Sequence, residues 1–302
     1  MSAPASQYVD LMSQDFYKVF DDTLKAGEPY YSSILRVYDS KNQYEQMSGL
    51  AGVSHLVQIG DGDPSPESNP KQKYDKKFTH VTYSLVSRLT KNAMDDDRTG
   101  LLKQIPRMQA EAAIKTIETI PAAMFDRSQT AAYTGADGKV LCATDHPRVD
   151  GGTWSNRPPA NVDLGMTALE AAVTSVESTV DDYGDPAMLV PTSLLIQQSN
   201  RFMAAQLLEN MEKVGTANRD INAVKNQFPG LKAFIWPYLT DTDSFYLLND
   251  KMKRQIFVIM REKINKRMYV APDTTLDAMF HTRFRLIEGW LDPRGVWGTT
   301  GA

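Results

Sequence analysis

Three groups of residues in this 302-residue chain are of types that could do chemistry. The run Gly135-Ala136-Asp137-Gly138-Lys139-Val140 sets glycines beside a lysine, as phosphate-cradling loops do. Its glycines are three apart rather than five, however, and no Ser or Thr follows the lysine to hold a magnesium ion. Asp95, Asp96 and Asp97, joined by Asp145 and His146, could offer hard oxygens and an imidazole to a divalent cation, the donor set of a metal-dependent hydrolase. The simpler reading of the same residues is a helix start, where the backbone dipole favours negative charge, followed later by an Asp-His-Pro turn. The basic group Lys71, Lys73, Lys76 and Lys77 could touch phosphate or an acidic protein surface, or serve to keep a loop solvated.

Other catalytic patterns are missing from the sequence. There is no G-x-S-x-G nucleophile elbow and no H-E-x-x-H pair, and the four histidines, His55, His80, His146 and His281, lie in segments of different character. No catalytic residue, cofactor site or metal ligand is assigned. Trp154, Trp236, Trp290 and Trp297 read as core or interface anchors rather than as a base-stacking platform.

The elements that must carry these residues follow from periodicity. Tyr8, Leu11, Met12, Phe16, Val19, Phe20 and Leu24 recur at helical spacing, and Gly27 and Pro29 close that helix. A polar stretch from Tyr30 to Gly52 reads as extended chain. The apolar run Leu56, Val57, Ile59 and the alternating run Val81, Tyr83, Leu85 read as two strands. Between them lie the 18 residues Gly60 to Lys77, with three prolines and hardly an apolar side chain. A connection of that length and composition suits a hairpin standing off the body better than part of a packed core. Behind Asp95–Asp97, the residues Leu102, Ile105, Ala113, Ile117, Ile120 and Met124 form one helical stripe, with a kink or late start expected from Pro106 and Pro121. A turn-rich stretch from Ser128 to Asn161 contains a possible strand at Val140 to Ala143. Beyond it the pattern predicts a helix from Met166 to Asp182, a strand from Ala187 to Val190 and a helix from Ser193 to Met211. Strands follow at Ala233 to Trp236, Phe245 to Leu248, Ile256 to Met260 and Ala278 to Trp290. The fold class is therefore α+β.

Composition narrows the function classes. A net charge of −4 gives no general attraction for nucleic acid, and 42% hydrophobic residues are enough for one large core or two modest ones. The single cysteine, Cys142, can form no disulfide within the chain, as expected of folding in a reducing compartment. Met1 to Gln7 lack a signal-peptide pattern and no run approaches the roughly 20 apolar residues that span a bilayer, so synthesis in the cytoplasm is expected and membrane association is not. No N-terminal coiled-coil region is visible.

Three passages together resemble the major capsid proteins of tailed bacteriophages, and among them the Mu-type major head subunit family. Met94 to Met108, M-D-D-D-R-T-G-L-L-K-Q-I-P-R-M, is similar to that family's acidic start and I-P-R-M opening of a long spine helix. Asp137 to Pro147, D-G-K-V-L-C-A-T-D-H-P, is similar to its D-G-K-x-L-F-x-x-x-H-P segment, with Cys142 where an aromatic is usual. Arg283 to Gly298 runs from an alternating strand into D-P-R-G at Asp292 to Gly295, similar to the family's closing D-W-R-G with Pro293 in place of the tryptophan. The three occur in family order.

The resemblance implies the Hong-Kong-97-like phage capsid fold. It assigns residues 1–46 to an N-terminal arm, 47–92 to an extended E-loop hairpin, and 93–160 to a peripheral domain built on the spine helix. Residues 161–267 become the axial domain, and 268–302 return to complete the peripheral domain. The implied function is that of a non-enzymatic virion subunit, located in the capsid, which builds an icosahedral shell from many copies of itself as hexamers and pentamers. Its other implied partners are a scaffold, a portal, decoration proteins and packaged double-stranded DNA held without sequence recognition. Another virion or tail-assembly protein, or a metal-dependent hydrolase, is the alternative. The function then lies in surfaces rather than in a pocket. Inter-subunit contacts are expected from Lys71, Lys73, Lys76 and Lys77 meeting the Asp95, Asp96 and Asp97 of a neighbour, and from Tyr8, Phe16 and Phe20 packing on another copy.

Overall fold

A computed structural model describes residues 5–27, 29–53, 55–97, 100–212, 221–251, 255–271, 275 and 277–302; for residues 5–12 and Asp95 it describes the backbone alone. In chain order the first elements are α1 (Ala5–Ala26), α2 (Tyr31–Ile34), β1 (Arg36–Asp39), β2 (Tyr44–Leu50), β3 (Gln72–Thr79), β4 (Val81–Leu89), α3 (Lys91–Asp95) and the long helix α4 (Gln104–Asp126). The small strands β5 (His146–Pro147) and β6 (Thr153–Trp154) precede α5 (Met166–Glu177), β7 (Ser193–Ile196), α6 (Arg201–Glu209), α7 (Ala223–Gln227), β8 (Lys232–Ile235) and β9 (Phe245–Leu248). The long strands β10 (Ile256–Val270) and β11 (Ala278–Trp290) and the last strand β12 (Val296–Thr299) complete the chain.

The first sheet has the order β1-β10-β11-β4, with β1 parallel to β10 and the remaining pairs antiparallel. Period two decides its faces: Ala278, Phe280, Thr282, Phe284 and Leu286 of β11 are buried while the residues between them are half-exposed. The buried face receives α4. Ala113 and Ile117 pack with Phe284 and Leu286, and Gln109 fixes the crossing by donating to the Phe280 carbonyl at 3.0 Å while accepting from Thr282 Oγ1 at 2.6 Å. A buried amide satisfied on both sides is worth keeping, because leaving either group unpaired would cost about 1–3 kcal/mol.

Helix α4 starts late, after the short 3-10 turn Leu101–Lys103. Pro106 falls in its first turn, where the lost N–H would have had no helical partner, whereas Pro121 lies inside it. The second sheet, β12-β9-β7-β8, is covered by α5 and α6 through Leu169, Val173, Leu194, Ile196, Leu207 and Trp297. All four tryptophans are largely buried in these cores.

Four local expectations are corrected. Leu56, Val57 and Ile59 form no strand: nothing packs on them, and the partner of β3 is β2, in antiparallel register from Tyr44↔Thr79 to Leu50↔Gln72. Ala187 to Val190 is irregular, since Met188 takes a left-handed φ of 50° and only Leu189 of the run is buried in the core. Ser193 to Ile196 begins no helix; it is the central strand β7, paired with both β8 and β9, where burial on two faces suits its Leu-Leu-Ile run. Val140 to Ala143 is not a strand either. Its backbone is held instead by the Asn156 side chain, which accepts from Ala143 N and donates to the Leu141 carbonyl, both at 2.8 Å.

Candidate assembly surfaces

The hairpin formed by β2 and β3 is rooted on the first sheet, and its tip loop touches the body of the same chain at His55, whose Nε2 lies 2.7 Å from Asp185. At the root, Phe78 stacks edge-on to Phe257 at 5.2 Å and lies against Gly289, where an added Cβ would come within 2.4 Å of its ring. Residues 51–53 and 55–71 form the tip, and Val53, Leu56, Val57 and Ile59 are exposed there, Leu56 completely. Solvent-exposed apolar side chains gathered on one protruding loop mark an interaction surface.

The four lysines of the hairpin divide by position. Lys71 is exposed at the edge of the tip. Lys73 is reassigned by the structure: it is used inside the subunit, where its ammonium lies 2.7 Å from Asp292 and 3.0 Å from Asp182. Strand β3 lays it against these carboxylates at the loop end of the ribbon, and burial of the set leaves it no free charge for a neighbour. Lys76 donates to the Thr134 carbonyl and lies over the Trp290 ring, and burial pushes its pKa down. Lys77 is exposed over the Tyr44 ring at 3.8 Å.

Asp292 and Arg294, both buried, are the charged residues of the D-P-R-G turn. Arg294 donates to Asp292 at 2.8 Å, to Asp182 at 2.9 Å and to the Val180 carbonyl at 2.8 Å, so its guanidinium is used on three sides. Burial raises the Asp292 pKa, but the charges of Arg294 and Lys73 outweigh it and hold the carboxyl below its ordinary value. This cluster ties the loop end of β3, the turn after β11 and the loop after α5 together. Its spacing in sequence concealed it, since Lys73 and Asp292 are 219 positions apart.

The acidic and aromatic expectations resolve differently. Asp97 accepts from the backbone of Leu101 and Leu102 at 3.2 and 3.1 Å, capping the turn that leads into α4, while Asp96 is exposed. The Asp95 side chain lies outside the described residues. Phe16 and Phe20 are reassigned: they are 1% and 0% exposed and pack on Phe280 of the same chain at 6.1 and 5.8 Å. An amphipathic helix buries its stripe on the nearest apolar surface, and here that surface is the subunit's own sheet. The Tyr8 side chain lies outside the described residues.

Asp145 and His146 do not converge on the acidic run. Asp145 pairs with Lys139, and His146 bonds Asp137 at 2.6 Å and Asn156 at 3.0 Å while stacking on Trp154. Among the described residues no three His, Cys, Asp or Glu side chains come together as a metal site. A cavity of about 360 Å³ at the hairpin root is lined by Lys76, Arg127, Tyr133, Glu288 and Trp290, with Arg127 and Glu288 paired at 3.2 Å.

The profile of one family, described as phage capsid protein, matches residues 73–298. The chain belongs to the phage capsid protein family. It is a shell-forming structural subunit, and its fold is the Hong-Kong-97-like capsid fold. The Mycobacterium phage Adephagia structure is 12% identical over 91% of both chains, with a TM-score of 0.58. The procapsid of bacteriophage JBD30 is 14% identical over all of this chain and 77% of its own, at 0.56. A virus-like particle from Pyrococcus furiosus is 10% identical over 95% of this capsid protein and 98% of its own chain, at 0.53. At such identities these structures speak to the fold. No curated protein matches in sequence.

Proposed function

We propose that the capsid protein is the major head subunit of a Mu-type tailed bacteriophage, assembling as hexamers and pentamers into an icosahedral shell around double-stranded DNA. It is made in the host cytoplasm, works with a separate scaffold, a portal and possible decoration proteins, and performs no catalysis. The observation that carries this reading is the hairpin: a two-stranded ribbon rooted in the core, ending in a loop on which Val53, Leu56, Val57 and Ile59 are left exposed by the single subunit. A repeated heterologous contact that closes into rings and then a cage needs such a projecting element.

The division of the chain belongs to the same proposal: arm 1–46, E-loop 47–92, peripheral domain 93–160 and 268–302, axial domain 161–267. Among the residues expected at subunit contacts, Lys71, Lys77 and Asp96 are exposed and are the ones we assign to neighbours. Electron microscopy of the purified recombinant protein, with and without a scaffold, tests the whole reading. Closed shells are expected. Tubes or open rings would move the protein to tail assembly, and a discrete small oligomer would overturn the reading.

A further inference from the structure

Between α4 and α5 the chain closes on a buried imidazole whose hydrogen bonds call for one proton more than its residue types ordinarily carry. His146 is fully buried, and the Asp137 side chain beside it is 7% exposed. Both ring nitrogens have partners: Nδ1 lies 2.6 Å from Asp137 Oδ2, and Nε2 lies 3.0 Å from Asn156 Oδ1. Trp154 stacks on the ring face at 4.6 Å.

The Asn156 amide decides where the hydrogens are. Its Nδ2 donates to the carbonyls of Leu141 at 2.8 Å and Val296 at 2.9 Å, and its Oδ1 accepts from Ala143 N at 2.8 Å. Turning the amide over would set its oxygen against two carbonyls and its nitrogen against an N–H, so its orientation is fixed. Its oxygen offers His146 only an acceptor, and Nε2 therefore carries a hydrogen. On the other side, Asp137 Oδ1 accepts from Lys139 N at 3.1 Å, which leaves Oδ2 to face Nδ1. Two lone pairs do not meet at 2.6 Å, so a second hydrogen lies between Nδ1 and the carboxylate. A carboxyl gives up its proton more readily than an imidazolium does, which places that hydrogen on the ring.

The charges packed around the ring leave this arrangement in place. Asp145, next in sequence, is a second carboxylate and pairs with Lys139. Arg294 lies over the Trp154 ring at 4.9 Å, but its guanidinium is held by Asp292 and Asp182. Arg148 pairs with Asp150, and Arg157 donates to Gln129. On β3, Lys76 donates to the Thr134 carbonyl, and Tyr74 stays neutral because burial, and then the charge of Asp292, raise its pKa. The π face of Trp154 favours a cation over a neutral ring.

We propose that His146 and Asp137 form a proton-held lock, a buried imidazolium–carboxylate pair that keeps Asn156 fastened to the last strand and opens when the proton leaves. The bonds on either side give it reach. Thr134 and Asp137 belong to the turn that receives Lys76, whereas Asn156 holds Val296 through its side chain and accepts from Gly298 N at 3.0 Å, both residues lying on β12 of the second sheet. Loss of either ring hydrogen leaves a lone pair facing an oxygen in a site closed to water, and the link from that turn to β12 fails at its middle. The lock lies within one subunit and does not depend on the shell reading.

Asp137→Asn is the discriminating change, because its amide can accept from Lys139 N and donate to Nδ1 of a neutral ring, keeping every bond without the extra proton. Above the ordinary histidine value of about 6.5 the unfolded chain has lost the proton that the folded pair retains, so the stabilisation is full below that pH and declines above it. In urea unfolding of the full chain, the folding constant of the parent relative to Asp137→Asn should fall about tenfold per pH unit from about pH 6.5 upward, the slope of one proton. A constant ratio across that range overturns the proposal. Nitrogen NMR of the parent chain carrying labelled histidine, at about pH 7.5, decides the matter even if the variant does not fold. One of the four histidine rings should carry hydrogen on both nitrogens, and a single hydrogen on every ring would overturn the lock.

Discussion

The Lys73 ammonium and the Asp292 carboxylate lie 2.7 Å apart, each side chain only 10% exposed. They join the loop end of the hairpin to the turn that follows the last long strand. Because Arg294 also holds Asp292 and Asp182 bridges Lys73 to Arg294, the hairpin is anchored to the subunit by a buried four-residue charge cluster rather than by apolar packing alone.

Lys73→Met should therefore destabilise the subunit. Removing one partner of a buried ion pair costs about 3–5 kcal/mol, and the remaining contact with Arg294 places this case at the lower end. Equilibrium urea unfolding of the isolated subunit measures it; an unchanged midpoint would show that the pair contributes nothing.

Asp292 has its folded pKa held below the ordinary carboxyl value, so its stabilising effect is present above that ordinary value and is lost as pH falls through the folded one. Stability of the parent should fall in acid below about pH 4, where unfolded carboxyls begin to protonate. In Asp292→Asn that part of the acid transition should be absent, and stability at neutral pH should be lower.

Glu118 behaves in the opposite sense. It is buried on α4, accepting from the Trp236 indole at 2.9 Å and from Tyr31 N at 3.2 Å, and burial raises its pKa despite those bonds. Its contribution is full below the unfolded value and lost as pH rises through the folded one. Glu118→Gln, which can still accept one of those bonds, should flatten the decline in stability above about pH 4.5, followed as melting temperature against pH. A parallel pair of curves would refute this.

Burial pushes the Cys142 thiol up to about 12, so at neutral pH almost no thiolate exists. Native protein should resist maleimide, and label fully once unfolded in guanidinium. Rapid native labelling would mean that the core around Leu141 and Tyr246 opens locally.

Gly289→Ala should loosen the hairpin root specifically. A methyl group there would meet Phe78 at 2.4 Å, and Phe78 is held by Phe257 behind it. Overpacking of this kind costs about 1–3 kcal/mol. Faster proteolysis between residues 51 and 71, with the remainder of the chain still resistant, is the expected signature.

The features legible in sequence were those governed by local periodicity and composition. The stripe Leu102 to Met124 predicted the long helix, the alternation from Ala278 to Trp290 predicted β11, and the proline-rich residues from Gly60 to Pro70 marked a segment unable to join a core, whereas Gln72 to Lys77, read as part of the same connection, form most of strand β3. The ordered motifs pointed to the capsid fold for the same reason, since each lies at an element boundary where few residue types fit. What tertiary structure alone decided was pairing. Nothing local distinguishes Leu56–Ile59, exposed on a loop, from Tyr44–Leu50, the true partner of β3, because a strand's partner is chosen by surfaces distant in sequence. Nor does spacing reveal that Lys73 turns inward to Asp292 while Asp61, Asp63 and Glu67 remain exposed. A charged side chain reads the same in sequence whether water, its own chain or a neighbour answers it, and only the folded geometry says which.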